Sequence, residues 1–301
     1  KNIFIIEQRI ELTIKEVTVI IDIFDFSLIN FSGFKKLNGS QLVKENITYI
    51  LNSLKSKISE TNIEKKIIHI FNSKFLLDKK ETENLPIGLF GNFYAHELSF
   101  FLINDNDYKN LINIFSKCNL KVKKIISKNF IEGVSLINEN LDIETFFKIE
   151  INEKNTKLIY FENASLKLVQ NFEFGLELIL KDISKVLGFK IEVLKKMLIN
   201  SNFSKTNLEN ELVEKEYFKN NNFRKVKKKL IFDIANSRIE EMSEIIMTKN
   251  INVSSFLKDN SVIYLKSDKN YFTNLFEDSF KLYFSHKDKF KLNLTEVDID
   301  N

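Results

Sequence analysis

Apolar positions along this chain follow two rhythms, and they are clearest over Leu85–Asn138. A turn at Leu85-Pro86-Ile87-Gly88 opens the stretch, since proline presets φ and glycine permits the reversal. Phe93–Ile103, dense in aromatic and branched residues, predicts a strand. Leu111, Ile112 and Phe115 recur at helical spacing, with Asp105 or Asn106 as cap and Asn119 as the stop. Leu120–Ile126 alternates as a second strand, and Ile131, Val134 and Ile137 mark a second helix. Strand, helix, strand, helix describes an α/β or α+β unit.

Upstream, Ile3–Ile14 reads as helix or strand, Val17–Phe24 as a buried strand, and Phe26–Leu37 as a strand broken at Gly33. Ser40 is a suitable N-cap for a helix from about Gln41 to Ser59, with Leu42, Ile47, Ile50, Leu51 and Leu54 on one face. Ile67–Phe71 predicts a short buried strand and Leu76–Asn84 a charged loop. Downstream, Glu144–Ile151, Thr156–Phe161 and Leu166–Phe172 predict a β-meander whose first turn is Asn152-Glu153-Lys154-Asn155. Gly175 precedes a helix over Leu176–Leu187, and Ile191–Ile199 predicts another. Asn200–Asn222 reads as loop. Lys225–Met247 is a long amphipathic helix, with Leu230, Ile234, Ile245 and Ile246 inward and Arg238, Glu240 and Glu241 outward. A strand at Val262–Leu265 and a helix at Phe272–Phe284 complete the order. A polar hinge near Asn138–Asp142 separates two lobes.

At 301 residues and 44% hydrophobic content the chain can bury a large core. A net charge of +4, with both signs interspersed, leaves no nucleic-acid footprint. The single cysteine, Cys118, excludes an internal disulfide, and its apolar helical setting predicts burial. His69, His96 and His286 lie too far apart for a metal-ligand set, and His96 reads as a structural or surface histidine. No apolar run approaches the roughly 20 residues of a membrane span. Neither Gly-x-Gly-x-x-Gly nor Gly-x-x-x-x-Gly-Lys-Ser/Thr occurs, nor Gly-x-Ser-x-Gly. Asp22 and Asp25 fall at strand ends without a paired acid/base pattern. The phenylalanines of the last helix read as core. The excess of lysine, isoleucine, asparagine and phenylalanine reads as an AT-rich coding bias.

Pro86-Ile87-Gly88-Leu89-Phe90-Gly91, followed by Lys117-Cys118-Asn119-Leu120-Lys121-Val122, resembles the bacterial cell-division FtsA family. His69-Ile70 and Leu76-Leu77-Asp78 resemble the segment before the same turn, and the order of elements continues to match. The resemblance implies an α/β fold: an actin-like (ribonuclease H-like) two-lobe fold with the strand-helix-strand-strand insert called subdomain 1C. On that basis residues 1–33 belong to the first lobe, 34–127 to the insert and its flanks, and 128–301 to the return and the second lobe.

The resemblance also places a nucleotide site, and here the chain departs from it. The family's Asp-x-Gly-Gly-Gly-Thr aligns with Glu150-Ile151-Asn152-Glu153-Lys154-Asn155, and its Thr-Gly-Gly with Lys266-Ser267-Asp268. Glycine amides approach phosphates only because no Cβ intervenes. Those glycines are gone; Gly175 alone is kept, and the first phosphate hairpin is not recognisable. The expectation is a non-catalytic protein without a cofactor, ATP with Mg binding only if the degenerate site still accepts it. The opposing reading lets Lys154 or Lys266 supply the lost positive character. The implied partners are the FtsZ C-terminal tail, on Arg238 and Glu241 of the long helix, further copies of the chain, and other division proteins. The implied location is the cytoplasmic face of the bacterial inner membrane at the division site. Glu296–Asp300 is too acidic for a membrane-targeting helix, so membrane contact is expected through a segment outside this chain. The start at Lys1 points to a beginning further upstream. The alternatives are an active actin-like ATPase and a PilM-like pilus-assembly scaffold.

Overall fold

The computed structural model describes residues 2–22, 25–140, 142–200, 210–218, 224–267 and 271–294. In chain order they form α1 (Asn2–Ile10), β1 (Glu16–Ile21), β2 (Phe26–Lys36), α2 (Lys44–Thr61), β3 (Lys65–Leu77), β4 (Lys80–Thr82), β5 (Phe93–Asn104), α3 (Asp105–Ser116), β6 (Lys121–Ser127) and α4 (Lys128–Glu139). There follow β7 (Phe146–Ile151), β8 (Thr156–Glu162), β9 (Ser165–Phe172), α5 (Leu176–Leu187), α6 (Ile191–Asn200), α7 (Lys228–Ser243), α8 (Ile251–Ser254), β10 (Val262–Ser267), α9 (Tyr271–Phe284) and β11 (Lys291–Leu294). The α/β class read from the pattern is present. The chain divides into two units: Lys1–Thr145 with Phe161–Leu168, and Phe146–Tyr160 with Val169–Asn301.

In the first unit an antiparallel sheet runs β2-β5-β3-β4, beside a parallel pair β1–β6. Central β5 is buried on both faces over Leu98–Ile103, which suits the apolar residues there. Tyr94, Leu98, Phe100 and Leu102 pack with Ile50, Leu54 and Ile58 of α2. Gly33 does not break β2. It lets α2 approach, since a Cβ there would lie 2.3 Å from Ile50 Cγ2. The tip of the β8–β9 hairpin, counted with this unit, is held by polar contacts. Lys74 pairs with Glu162 at 2.7 Å, buried Lys167 with Glu97 and Glu162 at 3.6 Å each, and Asn163 Nδ2 donates to Ser73 O at 2.8 Å.

The second unit holds a sheet of order β11-β10-β7-β8-β9, in which β7, β10 and β11 are parallel. Helix α7 packs against both α5 and α9. The apolar face of α5 (Leu176, Ile179, Leu180, Ile183, Leu187) is buried as the spacing predicts.

Several expectations are corrected. Helix α2 starts at Lys44 with Val43 as its cap residue, because the Ser40 hydroxyl bonds Leu37 O and Asn46 Oδ1 accepts the Val43 N–H. Asn104, not Asp105 or Asn106, caps α3. Strand β3 spans 13 residues because its pairing with β5 runs from Lys65 to Leu77, and most of the expected charged loop is the β3–β4 hairpin. Cys118 is exposed, since α3 ends at Ser116 and the thiol lies in the turn beyond it. Helix α7 buries Ile231, Ala235, Ile239 and Met242, while Leu230 and Ile245 are exposed. A π-type turn at Glu244–Thr248 shifts the register at its end. Most of Asn200–Asn222 lies outside the described residues, as does the acidic end. No helix among the described residues is long and apolar enough to cross a membrane.

Candidate functional site

The expected nucleotide positions converge at one end of the second unit's sheet. Strand β7 carries Glu150 and ends in the turn Asn152–Asn155. Strand β10 lies parallel to it with Lys266 opposite Glu150 and Ser267 opposite Ile151. Gly175, just before α5, is pressed onto the turn: a Cβ there would lie 2.2 Å from Asn152 O and 2.9 Å from Asn155 N. Asp268 lies outside the described residues.

The turn is closed on itself and capped by α5. Asn152 N–H donates to Asn155 O at 2.9 Å, and the Asn152 and Asn155 amides bond at 2.7 Å. The first amides of α5 donate inward, Leu176 N–H to Asn152 O at 3.0 Å and Glu177 N–H to Glu153 O at 2.8 Å. Leu178 N–H donates to Gly175 O at 3.0 Å. A helix N-terminus binds anions through its unpaired N–H groups. Here these three are already used, and the turn residues carry side chains where phosphate-binding hairpins carry glycines.

The carboxylates at this end are paired, and lysines outnumber them. Lys148, 2% exposed in its side chain, pairs with Glu150 at 2.7 Å. Burial pushes the Glu150 carboxyl up, but Lys148, Lys157 and Lys266 together outweigh it and hold it below its ordinary value. Glu153 is paired with Lys195 of α6, which also lowers its carboxyl. No group of three or more metal-ligating side chains occurs among the described residues.

Arg238 and Glu241 do share a face of α7, bordering a shallow groove against α5 lined by Asp182, Val186 and Ile234. Arg238 is partly buried and bonds Asp182 of α5 as well as Glu241, and these bonds raise its pKa. The groove is therefore of mixed charge, with Asp182, Asp233 and Glu241 beside Lys185 and Arg238.

A second groove lies in the first unit. Strand β4 pairs only with Phe75–Leu77, so residues 65–70 of β3 have no strand on their outer side among the described residues. A cavity of about 480 Å³ runs there between β3 and β6, with Tyr108, Ile112 and Phe130 among its apolar lining and Lys66, Lys123 and Lys124 among its charged lining. Burial, and then Lys124, hold His69 below its ordinary pKa. The sequence carries a signal: Lys65-Lys66-Ile67-Ile68 and Lys123-Lys124-Ile125-Ile126 are the same tetrapeptide, one on each strand. Only the fold brings the two together.

No protein-family model matches the chain. A curated relative, the cell division protein FtsA of Buchnera aphidicola subsp. Schizaphis graminum, is 24% identical over 155 residues, covering 52% of this chain but only 37% of that protein's length. Among solved structures, the chain is similar to one described as a PilM-PilN type IV pilus biogenesis complex, at 9% identity and a TM-score of 0.47, over 93% of this chain and 69% of the other. It is similar to the archaeal actin homolog Ta0583, at 13% identity and a TM-score of 0.33, over 59% and 51% of the two chains. It is also similar to MreB 5 of Spiroplasma citri, at 13% identity and a TM-score of 0.35, over 62% and 64%.

Proposed function

We propose that this chain is a non-catalytic, actin-like scaffold of the bacterial division machinery that holds partner proteins rather than turning over ATP. The observation that carries the non-catalytic reading is the sealed turn: the α5 amides and the Asn152–Asn155 carbonyls satisfy one another, so a phosphate would have to break two hydrogen bonds to enter. The likeness to an FtsA over half the chain supports the division role. The two grooves supply places for partners. The α5–α7 groove with Arg238 and Glu241 is proposed for an FtsZ-type tail, and the lysine-lined groove between β3 and β6 for an extended segment of acidic and apolar residues. Contacts between copies and with other division proteins complete the reading, at the cytoplasmic face of the inner membrane.

Titration calorimetry with ATP and magnesium tests the first part. No heat of binding is expected at ligand concentrations up to a millimolar, and micromolar affinity would sink it. Binding of an FtsZ C-terminal peptide, weakened in Arg238→Glu, supports the second part. Binding of a pilus-assembly peptide in its place would move the assignment to a pilus scaffold.

A further inference from the structure

Strand β2 leaves one long edge open. It pairs with β5 without interruption from Phe26–Ile103 to Lys36–Phe93 and carries no bulge. Among the described residues no strand lies on its other side, and no hydrogen bond closes that outer edge. An edge of 11 residues with neither proline nor bulge is a template for a further strand. The side chains along it divide cleanly between the two faces. Odd positions face α2: Ile29 and Phe31 pack on its core cluster, Gly33 lies against Ile50, and Lys35 Nζ sits 4.4 Å from the centre of the Tyr49 ring. Even positions face the other way, where Phe26 and Phe34 rest on Phe101 and Phe93 of β5 with ring centres 5.0 and 5.4 Å apart. Phe34 is 62% exposed. Asp25, immediately before β2, and Lys35, near its end, have no ion-pair partner among the described residues.

This order of side chains is complementary to itself. Two antiparallel copies of one edge strand are related by a two-fold axis perpendicular to the sheet, which sets odd positions opposite odd and even opposite even. With the axis at Asn30, Asp25 of each copy stands opposite Lys35 of the other, Ile29 opposite Phe31, and Phe26 opposite Phe34. An opposite-charge pair, a branched–aromatic pair and an aromatic pair are the cross-strand neighbours that stabilise a sheet. Moving the axis to Phe31 would set Lys35 against Ser27, whose hydroxyl already accepts from Lys65 Nζ at 2.6 Å, and would leave Asp25 opposite Leu37. We propose that this edge is where two copies of the chain meet: β2 pairs with β2 of a second copy, antiparallel about Asn30, and joins two four-stranded sheets into one. The inference rests on the scaffold reading only in that copies associate, and it names the surface and the register.

Light scattering and sedimentation of the purified chain should show a concentration-dependent dimer, and hydrogen exchange over Phe26–Lys36 should slow as the dimer forms. Asp25→Lys alone, or Lys35→Asp alone, sets like charges opposite each other at both ends of the pairing and should weaken dimerisation by about tenfold or more. Mixing the two variants should restore it, because both ion pairs form again in the mixed dimer, and that rescue also shows that each variant folds. A chain that stays monomeric at every soluble concentration overturns the proposal, and the association of copies with it. Association that neither substitution weakens, or that mixing does not restore, overturns this edge while leaving the association of copies in place.

Discussion

Gly175→Ala probes the sealed turn directly. The backbone at Gly175 is extended, with φ −156°, so any residue can adopt it. What forbids a side chain is space: the new Cβ would meet Asn152 O at 2.2 Å, Asn155 N at 2.9 Å and the Glu153 carbonyl carbon at 2.9 Å. All three are backbone atoms, which cannot rotate away. Relief requires moving α5 from the turn, which breaks the bonds from Leu176 and Glu177. Overpacking costs about 1–3 kcal/mol and each lost hydrogen bond about 1 kcal/mol, so the sum is about 3–5 kcal/mol. At roughly 2–4 °C per kcal/mol this lowers the melting temperature by about 10 °C. Urea denaturation followed by circular dichroism measures the total, and hydrogen exchange of the β7–β8 peptides localises it. Gly39→Ala is the comparison: it has a left-handed φ of +82° but open space around it, and should cost about 1–2 kcal/mol. A Gly175→Ala loss below 1 kcal/mol, or one equal to that of Gly39→Ala, would refute the close-packed turn.

Other consequences can be measured separately. Burial in the first unit lowers the His96 pKa from 6.5 to about 4, with Nε2 bonded to Asn72 and Nδ1 without a partner. Below pH 6.5 the unfolded chain binds the proton first, so stability falls as pH drops, by about 2 kcal/mol at pH 5, with the loss complete below about pH 4. Urea titrations at pH 7 and pH 5 should show that slope, and His96→Gln should flatten it. Glu162→Ala strips buried Lys167 and Lys74 of a shared partner and should cost about 3 kcal/mol in the same assay, most of it recovered in Glu162→Ala/Lys167→Met. Cys118 should react fully with a maleimide in the native protein, and protection until denaturant is added would contradict its exposure.

Much of the local structure was legible in the residues. Helix α5 occupies the span its apolar spacing predicts, the Asn152–Asn155 turn joins two strands, β5 falls within a residue of its expected limits, and α4 holds the three residues that marked it. These features depend on neighbours a few positions apart, where side-chain period and turn chemistry act directly. The errors were of two kinds. The caps of α2 and α3 and the exposure of Cys118 turn on which of several neighbouring residues ends a helix, while the length of β3 follows from pairing with β5 and the buried face of α7 from packing on α5 and α9.

The candidate site divides in the same way. The sequence alone determined that the turn and the strand near Lys266 lack glycine, because a missing glycine is a property of one position. Only the tertiary structure decided that Glu150 and Lys266 stand side by side, that Gly175 is pinned against the turn, and that the first amides of α5 are already used. It also decided that Lys66-Ile67-Ile68 and Lys123-Lys124-Ile125-Ile126 line one groove. Hydrogen-bond satisfaction and strand adjacency are relations between residues far apart in the chain, and the burial that enforces them exists only once the chain has folded.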